Sequence, residues 1–536
     1  MLTAAFTRTQ SSRSVAWRAG QRSIATRGAT KPSKAKPKPK PQSQQQSQSQ
    51  PQSQSQSQPQ SQSQSQPRPQ VGHKRDELQQ IPETEKPFTG YFDAVRDIIR
   101  MPVTTADPNI PSKRVTAEYC SAHFKQTPRN VSMLTRDFIS DSLYNPAYGY
   151  FSKQALIFSP KRAYDFGSFR DSADFLGTVG RQYEEMECEL DDVRNIPRQL
   201  WHTPTELLKP WYGRSVARHI VRQHKADCAA RHSDDPLVIY EMGGGNGTLM
   251  ADILGYVRDE EPAIYARVKY NLIEISAKLA RKQLGRQFEG VRIVNKSILE
   301  WNERVDEPCF FVAMEVIDNF AHDVVRYDYE TGEPVQAFVR VYDDGELEEL
   351  YEPVADPLIK DYLSARAALP GAAYRSPALP PALYRRLRQQ LPLAPNLTRR
   401  EFIPTQAFQL CRVLRDWFPR HRLVLSDFYQ LPDTVPDAVD APVVQTRFDG
   451  NMVPCETYLV QPGWFDIFFP TNFELLKRVY DATCRRDAAG ADDRRQSRVC
   501  TQREFAQDNA ELERTRTRSG ENPMLEFYEN NKFLLS

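Results

Sequence analysis

An open, mainly parallel α/β sheet with helices on both faces is the fold class that the 536-residue sequence predicts. Three observations predict it. From residue 236 onward, short apolar runs alternate with amphipathic segments. The run Pro236–Glu241 passes straight into Gly243-Gly244-Gly245-Asn246-Gly247, a turn that follows a strand and opens a helix. The longest apolar run, Cys309–Met314, suits a strand buried on both faces.

Taken in order, Leu134–Leu143 reads as a short helix entering the aromatic, turn-rich segment Tyr144–Tyr150. Residues 161–200 are polar with weak periodicity and read as an insertion or a mobile helical segment. Leu207–His224 has apolar positions at helical spacing and leads into the sheet. After the first strand and its glycine turn, Thr248–Arg258 is an amphipathic helix carrying Leu249, Ile253, Leu254 and Val257. Tyr270–Ile275 is the second strand, Ala277–Gln287 a helix, and Val291–Val294 and Cys309–Met314 the third and fourth strands. Val324–Tyr329 and Pro334–Tyr342, joined through Glu330-Thr331-Gly332-Glu333, read as an added β-hairpin. Residues 366–400, rich in Ala, Pro, Leu and Arg, form an excursion outside the sheet. Arg422–Phe428 is a later buried strand, and the apolar tail Glu521–Ser536 docks back.

Composition sets the organisation outside the sheet. Forty prolines, and alternating Ser and Gln between Pro41 and Gln70, mark a segment that cannot bury a core. Residues 1–75 hold 13 of the 71 basic residues and none of the 69 acidic ones, which leaves the remainder with 58 basic against 69 acidic. An acidic body disfavours nucleic acid as a partner. No stretch approaches the ~18 apolar residues of a membrane span. Eight scattered cysteines without a CxxC pair suit reduced thiols, and the isolated histidines make no metal-ligand spacing. Arg8, Arg13, Arg18, Arg22 and Arg27 in a Ser-rich, acid-free start read as a mitochondrial transit peptide. The expected division is therefore a transit peptide at 1–30, a linker at 31–103, a helical substrate-side region at 104–235, and the cofactor-binding core at 236–536 with its insertion at about 366–400.

The glycine loop carries the functional inference. A dinucleotide site would want GxGxxG; here glycines fall at 243, 245 and 247, behind an acid at 241. The pattern E-x-G-x-G-x-G fits S-adenosylmethionine enzymes, with Glu241 at the ammonium end of the cofactor and loop amides facing its carboxylate. Glu274 closes the second strand, where a carboxylate accepts hydrogen bonds from ribose hydroxyls. Gly243–Gly247 also suits a plain tight turn, and Glu274 a solvated strand end.

Beyond this loop the residues resemble the MidA-like family of methyltransferases, whose mitochondrial branch includes a protein arginine methyltransferase assisting respiratory complex I assembly. Asn145-Pro146-Ala147-Tyr148-Gly149-Tyr150 resembles the family's N-P-x-x-G-Y-Y, Glu241–Leu249 its E-L-G-P-G-x-G-T-L, and Leu272–Ser276 its V-E-x-S. Met314-Glu315-Val316-Ile317-Asp318 is similar to N-E-F-F-D, Leu425–Tyr429 to I-D-Y-G, and Asn522-Pro523-Met524 to N-P-x-x-M. Thr203-Pro204-Thr205-Glu206 loosely resembles T-x-P-E. The chain departs where Asn246 replaces the loop arginine, Gly244 its proline, and Phe468, Pro470 and Asn472 the family's Thr, His and Asp.

The resemblance implies a class I methyltransferase-like, Rossmann-like fold and S-adenosyl-L-methionine as cofactor. It further implies a protein substrate, arginine N-methylation, a mitochondrial matrix location and complex I as the assembly concerned. An arginine acceptor needs its charge localised and its proton removed, so Glu315 and Asp318, after the fourth strand, are the candidates for gripping a guanidinium. Asp318 equally suits a helix N-cap. Asp427 suits either a loop-orienting or a cofactor-facing role, and Tyr144, Tyr148, Tyr150 and Phe151 either an acceptor cap or core. The missing acceptor-side groups leave a second reading: a non-catalytic, methyltransferase-like assembly factor.

Overall fold

The computed structural model describes residues 103, 113–153, 155–191, 199–286, 288–369, 379–389, 391, 394–431, 441–448, 451–484 and 497–536. The proposed transit peptide and most of the proposed linker lie outside them.

Seven strands build the central sheet among the described residues: β1 Val238–Met242, β2 Lys269–Ile273, β3 Val291–Val294, β4 Cys309–Met314, β5 His421–Phe428, β6 Arg498–Thr501 and β7 Asn531–Leu535. Their order is β6-β7-β5-β4-β1-β2-β3. The five strands from β5 to β3 run parallel, while β7 enters antiparallel between β5 and β6. This is the expected class I methyltransferase-like α/β fold, with its strand order reversing at β1 beside the glycine turn.

Alternation in each strand feeds two cores, as burial on both faces demands. Ile239, Phe310 and Val312 face a core shared with α1 (Trp211–Arg231) and α2 (Thr248–Glu260). Val238, Tyr240, Phe311 and Ala313 face the opposite core, with Leu410 and Leu414 of α4 (Thr405–Trp417). Helix α3, Ala277–Leu284, follows β2, with the Ser276 hydroxyl capping its first turn. Register aligns the strand ends: Met242 lies opposite Ile273 and Ala313, and Met314 opposite Ser426. The loops that follow β1, β2, β4 and β5 therefore share one edge.

The expected hairpin forms, with Pro334 opposite Tyr327, but it belongs to a second sheet. That sheet also takes in Val131–Leu134, antiparallel to Pro334–Val341, together with Leu347–Pro353 and Glu401–Ile403. The polar stretch 161–200 takes the helical of its two expected forms, with a 20-residue helix, Ser172–Asp191, anchored by the buried side chains of Phe175 and Val179. One element differs from expectation. The helix expected at Leu207–His224 is interrupted after Pro204–Leu207 and resumes at Trp211, because Pro210 offers no N–H to continue the ladder. Among the described residues no helix is long and apolar enough to cross a membrane.

Candidate functional site

The glycine loop prolongs β1 by one rung: the Gly243 amide donates to the Ile273 carbonyl at 2.9 Å. Gly243, Gly245 and Gly247 then take φ of 71°, 51° and 72°, the left-handed region that glycine enters without penalty. Space demands the same residue type. A Cβ on Gly243 would stand 2.8 Å from Cγ2 of Val316, and one on Gly244 2.4 Å from Cδ1 of Leu272. The loop is thus pressed between β2 and the turn that follows β4, and Gly247 caps the start of α2.

A residue with no expected role locks this loop. Glu206, buried just before α1, accepts hydrogen bonds from Asn246 Nδ2 at 2.9 Å, Thr248 Oγ1 at 2.8 Å, Ser159 Oγ at 2.7 Å and Lys209 Nζ at 3.1 Å. Burial alone would raise its pKa; the hydrogen bonds from Asn246 and Ser159 and the Lys209 charge outweigh that and hold it below the ordinary value. The only sequence signal was its place in the Thr203–Glu206 segment. From α3's side, Lys282 Nζ donates to Asn246 Oδ1 at 2.5 Å and Arg286 Nε to the Asn246 carbonyl at 2.9 Å.

Glu241 and Glu274 come together under the loop. Glu241, buried at the end of β1, accepts from the Tyr270 hydroxyl at 2.6 Å. Burial pushes its carboxyl up to about 7; the Tyr270 bond opposes this and the Glu274 charge adds to it. Glu274 accepts from the Ser276 amide at 2.9 Å and from Gln283 Nε2 at 3.0 Å. Gln283 Nε2 also donates to the Gly245 carbonyl at 2.9 Å, tying the second acid to the loop. Burial raises the Glu274 pKa, against the hold of the Ser276 amide and Gln283.

Glu315 and Asp318 lie in a neighbouring cluster. Asp427, at the end of β5, gathers the turn between them: its Oδ2 accepts the amides of Val316, Ile317 and Asp318 at 3.1, 2.9 and 3.1 Å. This is the loop-orienting role of the two expected for Asp427. Glu315 holds φ at +53°, a conformation unfavourable for a residue with a side chain, and strain of this kind gathers at functional sites. Its Oε1 accepts from Asn531 Nδ2 at 3.2 Å. Burial, then the Asp427 and Asp318 charges, raise its pKa well above the ordinary carboxylate range. Asp318 is raised too, by burial. Tyr144 donates to the Asn319 carbonyl at 3.3 Å, and burial, then the charges of Asp318, Asp466, Glu274 and Asp427, raise its pKa. Tyr148 instead donates to Asp141 at 2.5 Å, and Tyr150 is buried in the core of the second sheet.

These residues fit the cofactor that the sequence suggested. Glycines whose Cβ atoms would collide with Val316 and Leu272 leave bare main chain beside two buried carboxylates, and the buried Oε1 of Gln283 has no hydrogen-bond partner. That donor set matches an ammonium, a carboxylate and a ribose diol. Comparison with known proteins agrees on the family. A sequence profile described as "Putative S-adenosyl-L-methionine-dependent methyltransferase" matches residues 215–491. A mitochondrial protein arginine methyltransferase of Schizosaccharomyces pombe, an NDUFAF7 homolog, is 22% identical over 209 residues, 37% of this chain and 42% of that relative. The match therefore spans less than half of the relative's length. A COG1565 superfamily member from Burkholderia thailandensis bound to S-adenosyl-homocysteine aligns over 85% of this chain and 95% of its own, at 14% identity and a TM-score of 0.45. A native structure of a COG1565 superfamily protein from the same organism gives a TM-score of 0.43 at 14% identity, with the same coverage.

Proposed function

The chain belongs to the family of S-adenosyl-L-methionine-dependent methyltransferases, and on that premise we propose that it methylates arginine side chains of a mitochondrial protein, a respiratory-complex subunit met during assembly. The observation that carries this is the contact of Val316 with Gly243, which sets the Glu315–Asp318 turn against the cofactor loop. The name of the fission-yeast relative and the Arg-rich, acid-free N-terminus support the mitochondrial part.

In this reading Glu241 and the loop amides hold the amino-acid end of the cofactor, and Glu274 accepts from the ribose hydroxyls. Bound S-adenosyl-L-methionine supplies an electrophilic methyl for in-line displacement, where positioning provides much of the rate. Glu315 and Asp318 grip the guanidinium. A nitrogen taking the methyl would shed its proton to Glu315 or Asp318, while the sulfur would keep the electron pair of its broken methyl bond. Burial raises the pKa of both, Glu315 well above the ordinary carboxylate value and Asp318 to about 7, and a raised pKa makes the ionised carboxylate a stronger base.

The full chain should bind S-adenosyl-L-methionine by calorimetry and transfer labelled methyl to arginine in a mitochondrial extract. A folded protein that does neither overturns the proposal. A second reading, a methyltransferase-like assembly factor without turnover, is favoured by one observation: Asp318 Oδ1 is engaged by the Asn319 amide and Asp427 by four backbone amides. These acids thereby hold the turn itself. Complementation separates the two, since a scaffold would be fully rescued by Gly245→Val.

A further inference from the structure

One helix is turned inside out. Ala382–Gln389 directs Arg385 and Arg388 at the body and its apolar side chains at solvent. Leu383, Leu387 and Leu391, four residues apart, are 72%, 58% and 60% exposed, and Tyr384 beside them is 50% exposed. Side chains of this size are seldom left in such a row without a use. The arginines are held firmly: the Arg388 guanidinium lies 4.9 Å from the Tyr329 ring centre, and Arg385 presses on Gly332, where a Cβ would stand 2.5 Å from its Nη1. Nε and Nη1 of Arg385 and Nε of Arg388 are buried with no hydrogen-bond partner.

Arg388 lines one wall of an open cleft shared with Arg326, Arg399 and Tyr384. Charge makes the cleft distinctive. Between Asp361 and Glu401 the sequence contains seven arginines and neither an Asp nor a Glu, in a body that is acidic as a whole. Guanidinium groups open to a cleft, as Arg326, Arg388 and Arg399 are here, pair with anionic oxygens, phosphate above all. Exposed leucines and a tyrosine alongside them match the depth profile of an interfacial segment, apolar residues in the acyl boundary and cations at the headgroups.

We propose that the Ala382–Gln389 helix and the arginine cleft beside it form a peripheral docking surface for bilayers rich in anionic phospholipid. This inference is independent of the methyltransferase reading. Its occupant is a lipid surface, since the exposed Leu383, Leu387 and Leu391 stand beside exposed Arg386 and the arginines of the open cleft, pairing groups that suit acyl chains with groups that suit headgroup phosphates.

The basic N-terminus would also attract such vesicles, so the test must be local. Hydrogen exchange of the full chain should show amides of 382–391 slowed at least threefold by vesicles of mixed phosphatidylcholine and phosphatidylglycerol, and not by phosphatidylcholine alone. The double variant Leu383→Glu/Leu387→Glu should abolish that protection while cofactor binding, read by calorimetry, is unchanged. Arg386→Glu, an exposed position, should weaken it. Protection that survives the double variant, or none in the wild type, overturns the proposal. So does equal protection by inorganic phosphate alone, which would assign the cleft to a soluble anion.

Discussion

In the proposed site, Glu241 would couple cofactor binding to stability through one buried carboxyl. Its folded pKa of about 7 exceeds the ordinary 4.5, so between those values the folded state binds a proton that the unfolded chain has lost. Its contribution is therefore present below pH 4.5 and is lost as the pH rises to 7. Glu241→Gln, which stays neutral, should melt higher than the parent at pH 8, by about 1–3 kcal/mol in unfolding free energy, and near the parent at pH 4.5. In the proposed site the ammonium of the cofactor would prefer the ionised acid. Calorimetry should therefore find affinity rising from pH 5.5 to 8, and absent in Glu241→Gln. Tyr270→Phe removes the hydrogen bond that favours the carboxylate and should move the midpoint to higher pH; an unmoved midpoint would assign the titration elsewhere.

Elements are positioned here by single carboxylates acting as hubs. Glu206 ties the glycine loop to the segment before α1, and truncation to alanine strands the Lys209 charge as well as Asn246 and Thr248. Glu206→Ala should cost about 3 kcal/mol by chemical denaturation and weaken cofactor binding at least tenfold, with Glu206→Gln between it and the parent. Asp427 does the same for the turn after β4. Asp427→Asn keeps one acceptor oxygen, so it should lose only about 1 kcal/mol while lowering kcat through a displaced Glu315. A fall in kcat without a fall in cofactor affinity is the signature that separates positioning from general unfolding.

The chain's end is a structural member of the whole molecule. β7 lies between β5 and β6 and brings buried Phe533, Leu534 and Leu535 into both cores. It also carries Asn531, which meets Glu315. Removing 529–536 exposes two strand edges and forfeits several kcal/mol of apolar burial, on the order of 2 kcal/mol for each large side chain. The truncated protein should lack a cooperative melt by circular dichroism; a cooperative melt near the parent's temperature would contradict this. The second sheet makes the same point about integration, since Val131–Leu134 finds its partner two hundred residues later in Pro334–Val341.

What could be read from the residues alone is what local chemistry enforces. β3 and β4 fall where the apolar runs lie, and glycines at 243, 245 and 247 announce a left-handed turn at the end of a strand. Glu274 follows from its place at the next strand's end. Tertiary structure alone decided the rest. Glu206 reaches the loop across forty residues, Asp427 caps a turn more than a hundred residues before it, and the weakly periodic helix Ser172–Asp191 is anchored because Phe175 and Val179 find a core. Such pairings are set by which surfaces the folded chain presses together. No periodicity within a window of a dozen residues carries that information.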